Sequence, residues 1–219
     1  LLEKADLLFL CNPNNPTGRL LSADQVKDLA DRCEKAETFL LVDEAFIELS
    51  RPEESIAALA PEREYLFVMR SLTKSFGVPG LRLGFGVSNP RLSRILNLAR
   101  VPWSIGSIAA AAGEHLLGCW DHLESSRQVI KKEIAYLENA LKELGLEPLP
   151  SQVNFILVNI EASGLASDIL AEKTMRQGVL VRDCQSFGLG KGYIRVAVRN
   201  REENRQLIEA LKKAISCRD

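Results

Sequence analysis

Short apolar runs alternate with polar and helical segments over the first 90 residues of the chain. Four of these runs predict buried strands: "DLLFLCNP", "TFLLVDEAF", "YLFVMRS" and "RLGFGV". After the first run, Ser22 with Gln25 three residues later predicts a capping box at the start of a helix. Strands that are apolar on both faces and separated by a helical pattern predict a mostly parallel α/β sheet covered on each side.

The pattern becomes helical from Pro90, and its last stretch runs from about Asp121 to Leu144. Beyond it, "VNFILVNI", "GVLVRDC" and "GYIRVAVR" predict strands, while residues 165–177 and "REENRQLIEALKKAI" predict helices. Trp103 and Trp120 are expected to anchor helices in the core. We therefore expect a domain change near residue 120, with a sheet-dominated part over residues 1–120 and a smaller α/β sandwich over residues 121–219.

Composition excludes several classes of function. With 28 Lys and Arg against 29 Asp and Glu, the net charge of −1 gives no reason to expect nucleic acid or an anionic membrane as a partner. The sequence has no apolar run near the roughly 20 residues that span a bilayer. Five scattered cysteines without a C-x-x-C motif predict reduced thiols in a cytosolic protein and no zinc site. These are Cys11, Cys33, Cys119, Cys184 and Cys217.

Polar features stand at the predicted strand ends, where open α/β sheets bind their ligands. They are "NPNNPTG" at residues 12–18, Asp43, the run Ser71-Leu72-Thr73-Lys74, and Arg82. Each has an ordinary structural interpretation: a Pro/Asn turn, an N-cap or salt-bridged acid, a surface lysine, and a strand-edge ion pair. Lys74 is unusual because the pattern puts it in a loop between buried strands rather than on a solvated helix.

Together these residues suit one ligand. The amine of Lys74 can condense with a carbonyl, Ser71, Thr73 and Arg82 can bind a phosphate, and a buried Asp43 can pair with a ring nitrogen. Pyridoxal phosphate has all three groups. Burial between strands and the nearby charge of Arg82 would favour the neutral, nucleophilic form of the Lys74 amine.

The ordered set "NPNNPTG", "DEAF", "SLTK" and "GLRLGF" resembles the fold-type I pyridoxal-phosphate enzymes of the class I/II aminotransferase superfamily. The resemblance implies that Lys74 bonds to the cofactor and carries protons, and that Asn15 hydrogen-bonds the cofactor 3′-oxygen. It implies that the chain begins within the large cofactor-binding domain, and that the protein is a homodimer. The cofactor-binding residues it implies are Asn15, Asp43, Ser71, Thr73, Lys74 and Arg82.

The second half of the chain adds candidate substrate residues. Arg195 in "YIRVAV" stands mid-strand among apolar neighbours, where an arginine is either paired across the fold or available to an anion. In the resembled family the arginine of this "IRV" binds the substrate α-carboxylate. Arg182 in "VLVRDC" matches the arginine that binds a distal phosphate in histidinol-phosphate aminotransferases, and Asn154 matches a substrate-side position. A small phosphorylated amino acid or amino alcohol is the expected substrate.

Two members of the superfamily are candidates. Histidinol-phosphate aminotransferases typically carry Tyr where this chain has Phe46, whereas "RSLTK", "PGLRLGF" and "VRDCQSFGL" are most similar to threonine-phosphate decarboxylases of cobalamin biosynthesis. Family members take a phosphate cup and a ring-stacking aromatic residue from sequence before "NPNNPTG", and this chain contains neither. The alternative of another class is therefore that the 219-residue chain alone is a non-catalytic module that binds the cofactor weakly.

Overall fold

The computed structural model describes residues 4–216, so Cys217 lies outside the described residues. Its contacts divide the chain into two compact units. The first contains residues 4–14 with Leu20–Ser125, and the second contains Asn15–Arg19 with residues 126–216. Asn15–Arg19 thus belong to the second unit, whereas the sequence predicts one continuous first part over residues 1–120. Gln152 N donates to Gly18 O at 3.0 Å, and a Cβ at Gly18 would lie 2.1 Å from Ser151 Oγ.

A four-stranded sheet forms the centre of the first unit. Its strands are β1 (Leu7–Cys11), β2 (Phe39–Asp43), β3 (Leu66–Ser71) and β4 (Gly84–Ser88), in that spatial order. The first three are parallel, and β4 is antiparallel to β3. The helices are α1 (Ala23–Lys35), α2 (Leu72–Ser75), α3 (Pro90–Ala99) and α4 (Ser107–Leu116). Both hydrogen bonds of the predicted capping box, between Ser22 and Gln25, are present at the start of α1.

Helix α1 covers one face of this sheet. Its buried residues Val26, Ala30 and Cys33 belong to one apolar cluster with buried residues of β2 and β3, such as Leu40 and Val68. Burial of apolar surface, which stabilises by about 25 cal/mol per Å², holds α1 against the sheet.

The expectation that both sheet faces are covered is wrong for the described residues. On β1, Leu7 and Phe9 are 54% and 57% exposed. These side chains alternate with the half-buried Leu8 and Leu10, which belong to the α1 side of the strand. A continuous apolar run therefore indicates a strand but not what lies against each of its faces.

The expectation that the two tryptophans anchor helices in the core is also wrong. Trp103 is 98% exposed, and Trp120 is 61% exposed. Trp103 stands between α3 and α4 with a left-handed φ of 60°, which directs the chain between the two helices. Leu98 and Ile108, on those helices, are exposed as well.

The second unit is an antiparallel sheet with helices. Its strands β5 (Glu147–Pro148), β6 (Phe155–Asn159), β7 (Arg182–Asp183) and β8 (Tyr193–Ala197) lie in the order β5-β6-β8-β7. Helix α5 (Trp120–Glu143) enters this unit at residue 126, followed by α6 (Ser167–Met175) and α7 (Arg201–Ser216). Among residues 4–216, none of the helices has the length and apolar character that crossing a membrane requires.

A buried carboxylate joins α5 to α7 within the second unit. Glu133 is 4% exposed and accepts hydrogen bonds from Arg201 at 3.0–3.2 Å and from Asn204 Nδ2 at 2.9 Å. The guanidinium of Arg201 also lies 4.0 Å above the ring centroid of Tyr136. The Arg201 hydrogen bonds lower the pKa of Glu133 against the opposing effect of burial. The ionised form is therefore favoured in the folded state.

We expect this carboxylate to make stability depend on pH. Because its folded pKa is lowered, the contribution of Glu133 is complete above its unfolded pKa of about 4.3 and is lost as the pH falls through the folded value. Glu133→Gln should therefore be less stable than the unaltered chain at pH 7, and the gap should shrink below about pH 4. Urea unfolding across this range measures the gap, and Glu209→Gln on an exposed position of α7 controls for the lost charge. A gap that stays constant with pH would contradict the assignment.

Candidate active site

Two predicted site residues end neighbouring parallel strands of the first unit. Asp43 is the last residue of β2, and Ser71 is the last residue of β3. Asp43 pairs in register with Met69, so the two strands end at the same edge of the sheet. The Asp43 carboxylate is half-buried, less enclosed than expected, and its Oδ1 accepts a hydrogen bond from Ala45 N at 3.0 Å.

Lys74 lies one residue before the end of α2, which follows β3 without a connecting loop. The sequence placed it in a loop, and the difference arises because Ser71 and Ser75 start and end a single helical turn, with Ser75 Oγ donating to Ser71 O at 3.1 Å. Ser71 Oγ and Thr73 Oγ1 are 2.7 Å apart, so the two hydroxyls share a hydrogen bond.

The amine of Lys74 is exposed, and within the described part of the chain it forms neither an ion pair nor a hydrogen bond. Its Nζ lies 5.8 Å from the centroid of Phe46, in the segment that follows Asp43. Lys74 therefore follows directly on the strand end that neighbours Asp43. The expectation that its amine is buried between strands is wrong, because α2 leaves the side chain at the surface.

Arg82 precedes β4 rather than belonging to it. It caps the short helix Pro79–Leu81 in a left-handed conformation with φ 52°. Its exposed guanidinium donates from Nη1 to Pro79 O at 3.0 Å. The apolar pattern of "RLGFGV" could not reveal this turn, which keeps the remaining guanidinium donors at the surface.

A buried ion pair beside the site was missed by the sequence analysis. Glu44, which is 1% exposed, accepts hydrogen bonds from Arg70 Nε at 2.8 Å, Ser55 Oγ at 2.6 Å and Ile56 N at 3.0 Å. Arg70 Nη1 also donates to Glu48. Glu44 and Arg70 directly adjoin Asp43 and Ser71 in sequence, and Glu44 N donates to Met69 O. The signal for this pair was a charged residue at the C-terminal end of each of two apolar strands.

The second unit brings Asn15 to Arg195. Arg195 is the central residue of β8, as predicted, and its Nη1 donates a hydrogen bond to Asn15 Oδ1. Burial lowers the pKa of Arg195, and the charge of Arg182 adds to that effect. The guanidinium stacks 4.9 Å from the centroid of Phe155.

Arg182 and Arg195 are direct cross-strand partners on β7 and β8. Arg182 is exposed, and its Nη2 donates to Ser186 Oγ at 2.9 Å. Within residues 4–216 neither arginine is in an ion pair. The same unit contains Asn154, whose buried Oδ1 has no hydrogen-bond partner among the described residues. A buried acceptor without a donor is costly, which is typical of a site that a ligand completes.

A family model supplies the deciding observation. The model for "Aminotransferase class I and II" matches residues 1–211. The chain belongs to the aminotransferase class I and II family. The order of motifs from "NPNNPTG" to "GLRLGF" therefore has the family origin that the sequence analysis inferred.

Two curated relatives of this family member differ in their named activities. A protein of Caldanaerobacter subterraneus subsp. tengcongensis, provisionally named a threonine-phosphate decarboxylase, is 37% identical over 96% of the chain. A histidinol-phosphate aminotransferase of Symbiobacterium thermophilum is 38% identical, also over 96%. The chain spans 58% and 57% of the lengths of these relatives. Identity alone therefore does not separate the two activities.

A solved structure shares the fold of this aminotransferase-family chain. Histidinol-phosphate aminotransferase from Sinorhizobium meliloti, solved in complex with pyridoxal-5′-phosphate, superposes with a TM-score of 0.86. The aligned region covers 97% of this chain and 58% of the Sinorhizobium meliloti chain, and the two sequences are 24% identical. The likeness confirms the predicted α/β fold with a mostly parallel sheet.

Proposed function

We propose that the whole protein carrying this chain is a pyridoxal-phosphate enzyme that acts on a small phosphorylated amino acid. The observation that carries the proposal is the position of Asp43, Ser71 and Lys74 at the adjacent ends of β2 and β3. The Lys74 amine forms no hydrogen bond or ion pair among the described residues. Family membership supports the same cofactor.

The side chains of the first unit fit the chemistry of pyridoxal phosphate. Its phosphate needs donors, which the paired hydroxyls of Ser71 and Thr73 and the exposed guanidinium of Arg82 supply. Its pyridine nitrogen needs a carboxylate, which Asp43 supplies. Among the described residues the Asp43 carboxylate accepts one hydrogen bond, from Ala45 N to Oδ1, which leaves Oδ2 for the ring. Its aldehyde needs a primary amine, which Lys74 supplies.

When bound, pyridoxal phosphate supplies an electron sink for bonds at the substrate Cα. Asp43 would hold the ring nitrogen protonated, which strengthens that sink. Asn15 would donate a hydrogen bond from Nδ2 to the 3′-oxygen, because its Oδ1 accepts from Arg195. Lys74 would hold the cofactor and move a proton to or from Cα.

The second unit supports a substrate with two anionic groups. Arg182 and Arg195 face each other across β7 and β8, and neither forms an ion pair within the described residues, so two positive charges stand side by side. The α-carboxylate would bind Arg195, and the phosphate would bind Arg182. The unpartnered Oδ1 of Asn154 would accept a hydrogen bond from the substrate.

Within this class we favour L-threonine-O-3-phosphate decarboxylase of cobalamin biosynthesis. Threonine phosphate carries both a carboxylate and a phosphate, whereas histidinol phosphate carries a phosphate alone, and Phe46 lacks the hydroxyl typical of the histidinol-phosphate enzymes. Histidinol-phosphate aminotransferase is the alternative, which the identity of 38% supports equally well.

A cytosolic homodimer remains part of the proposal, and the exposed apolar side chains Leu98, Trp103 and Ile108 support a protein interface.

The two activities release different products. The whole protein with added pyridoxal phosphate is given L-threonine O-3-phosphate in one assay, and histidinol phosphate with 2-oxoglutarate in another. We expect carbon dioxide in the first assay and no glutamate in the second. Glutamate in the second assay alone would identify the aminotransferase, and no product in either would contradict the proposed substrate class.

A further inference from the structure

Phe187 contacts the guanidinium groups of both candidate substrate arginines. The Cζ atom of Arg182 lies 5.7 Å from the centroid of the Phe187 ring, and that of Arg195 lies 5.9 Å from it. Both distances are within the roughly 6 Å over which an aromatic face attracts a cation. One half-buried ring is therefore common to two arginines on neighbouring strands.

A rigid turn fixes the position of this ring. Phe187 ends the short helix Gln185–Phe187, which the sequence analysis did not predict, and Gly188 stops it with a left-handed φ of 77°. Asp183 holds the start of the turn by accepting hydrogen bonds from Gln185 N and Nε2, each at 3.0 Å, and from Ser167 Oγ at 2.7 Å. The turn that contains Phe187 is thus hydrogen-bonded to β7, and β7 to α6, through Asp183.

The arginine pair requires such support because its charges repel. Like charges directly opposite each other on neighbouring strands destabilise a sheet, and carboxylates usually relieve the repulsion. Here no carboxylate of the described residues forms an ion pair with either guanidinium, although Asp183 interacts with Arg182 through space. The polar contacts of the two guanidinium groups are Ser186 Oγ and Asn15 Oδ1. The negative face of an aromatic ring attracts both cations without neutralising them, so their charge remains available to an anion.

We propose that Phe187 is a positioning residue that holds Arg182 and Arg195 in place for a doubly anionic substrate. The inference rests on the proposed function, since it concerns the same two arginines. Because Phe187 would act through the two arginines, removing its ring should weaken anion binding and leave the residues around Lys74 unchanged.

The test compares variants that keep or remove the aromatic face. Phe187→Leu and Phe187→Met keep an apolar side chain of similar volume, and Phe187→Tyr keeps the ring. L-threonine O-phosphate is titrated calorimetrically into the whole protein with its cofactor bound. We expect about fivefold weaker binding for the Leu and Met variants, and binding within about twofold of the unaltered protein for the Tyr variant. If a folded Leu or Met variant binds L-threonine O-phosphate within about twofold of the unaltered protein, the proposal is overturned.

A double-mutant cycle separates positioning from general packing. If Phe187 acts through the arginines, Phe187→Leu should cost less in an Arg182→Gln background, about twofold instead of fivefold, because one of its two contacts is already gone. An undiminished loss in that background would show that the ring acts through packing alone and would overturn the proposal.

Inorganic phosphate keeps this test distinct from that of the proposed function. If the unaltered protein binds inorganic phosphate but not L-threonine O-phosphate, the proposed substrate is wrong, and weaker phosphate binding by Phe187→Leu would still support Phe187. If phosphate binding is equal in both proteins, the inference about Phe187 fails while the proposed function can stand.

Discussion

Replacing Lys74 with arginine is expected to reduce turnover by the whole protein by at least about 10³-fold, the scale on which a positioned proton-transfer group contributes. Arginine keeps the charge and reach of the side chain but cannot lose its proton at physiological pH, so it cannot bond to the cofactor aldehyde. Because Lys74 is exposed and forms no hydrogen bond or ion pair with residues 4–216, the fold should be unaffected.

Borohydride reduction measures the bond itself. In the unaltered protein with pyridoxal phosphate, reduction should fix the cofactor on the peptide that contains Lys74, and in Lys74→Arg it should fix none there. Lys27→Arg is the matched control, because Lys27 is an exposed lysine of α1 in the same unit. Label on another lysine of the unaltered protein would end the assignment of Lys74.

Local signals predicted much of this fold correctly. The capping box at Ser22 involves residues three positions apart, so the sequence contains the whole interaction. The strands that end at Asp43 and Ser71 were predicted because buried parallel strands are continuous apolar runs followed by polar residues. The central position of Arg195 in β8 followed from the same pattern.

Interactions between distant segments could not be predicted in this way. Asn15 is hydrogen-bonded to Arg195, 180 residues away. Asn15–Arg19 belong to the second unit, although the segments directly before and after them belong to the first. Trp103 lies at the surface because an apolar residue indicates a preference for burial but not whether a partner covers it. Lys74 lies in a helical turn that is too short to give a periodic signal.

Glu44→Gln is expected to destabilise the chain by about 1–3 kcal/mol, because buried donors lose a charged acceptor. The loss is limited because Arg70 keeps its ion pair with Glu48. Glu44 Oε2 accepts from both Arg70 Nε and Ser55 Oγ, and Oε1 accepts from Ile56 N, so every orientation of a glutamine amide would point a donor at a donor. Chemical denaturation followed by circular dichroism measures the loss.

The matched control for this change is an exposed ion pair of the same unit. Glu64 and Arg91 have side chains that are 62% and 80% exposed, so Glu64→Gln should cost at most about 1 kcal/mol. The buried pair should also govern the site, since Glu44 adjoins Asp43 and its partner Arg70 adjoins Ser71. Glu44→Gln should therefore bind pyridoxal phosphate more weakly than Glu64→Gln, measured in buffer without denaturant at a temperature at which both variants are folded. Equal losses of stability in the two variants would mean that the Glu44–Arg70 pair does not organise the ends of β2 and β3.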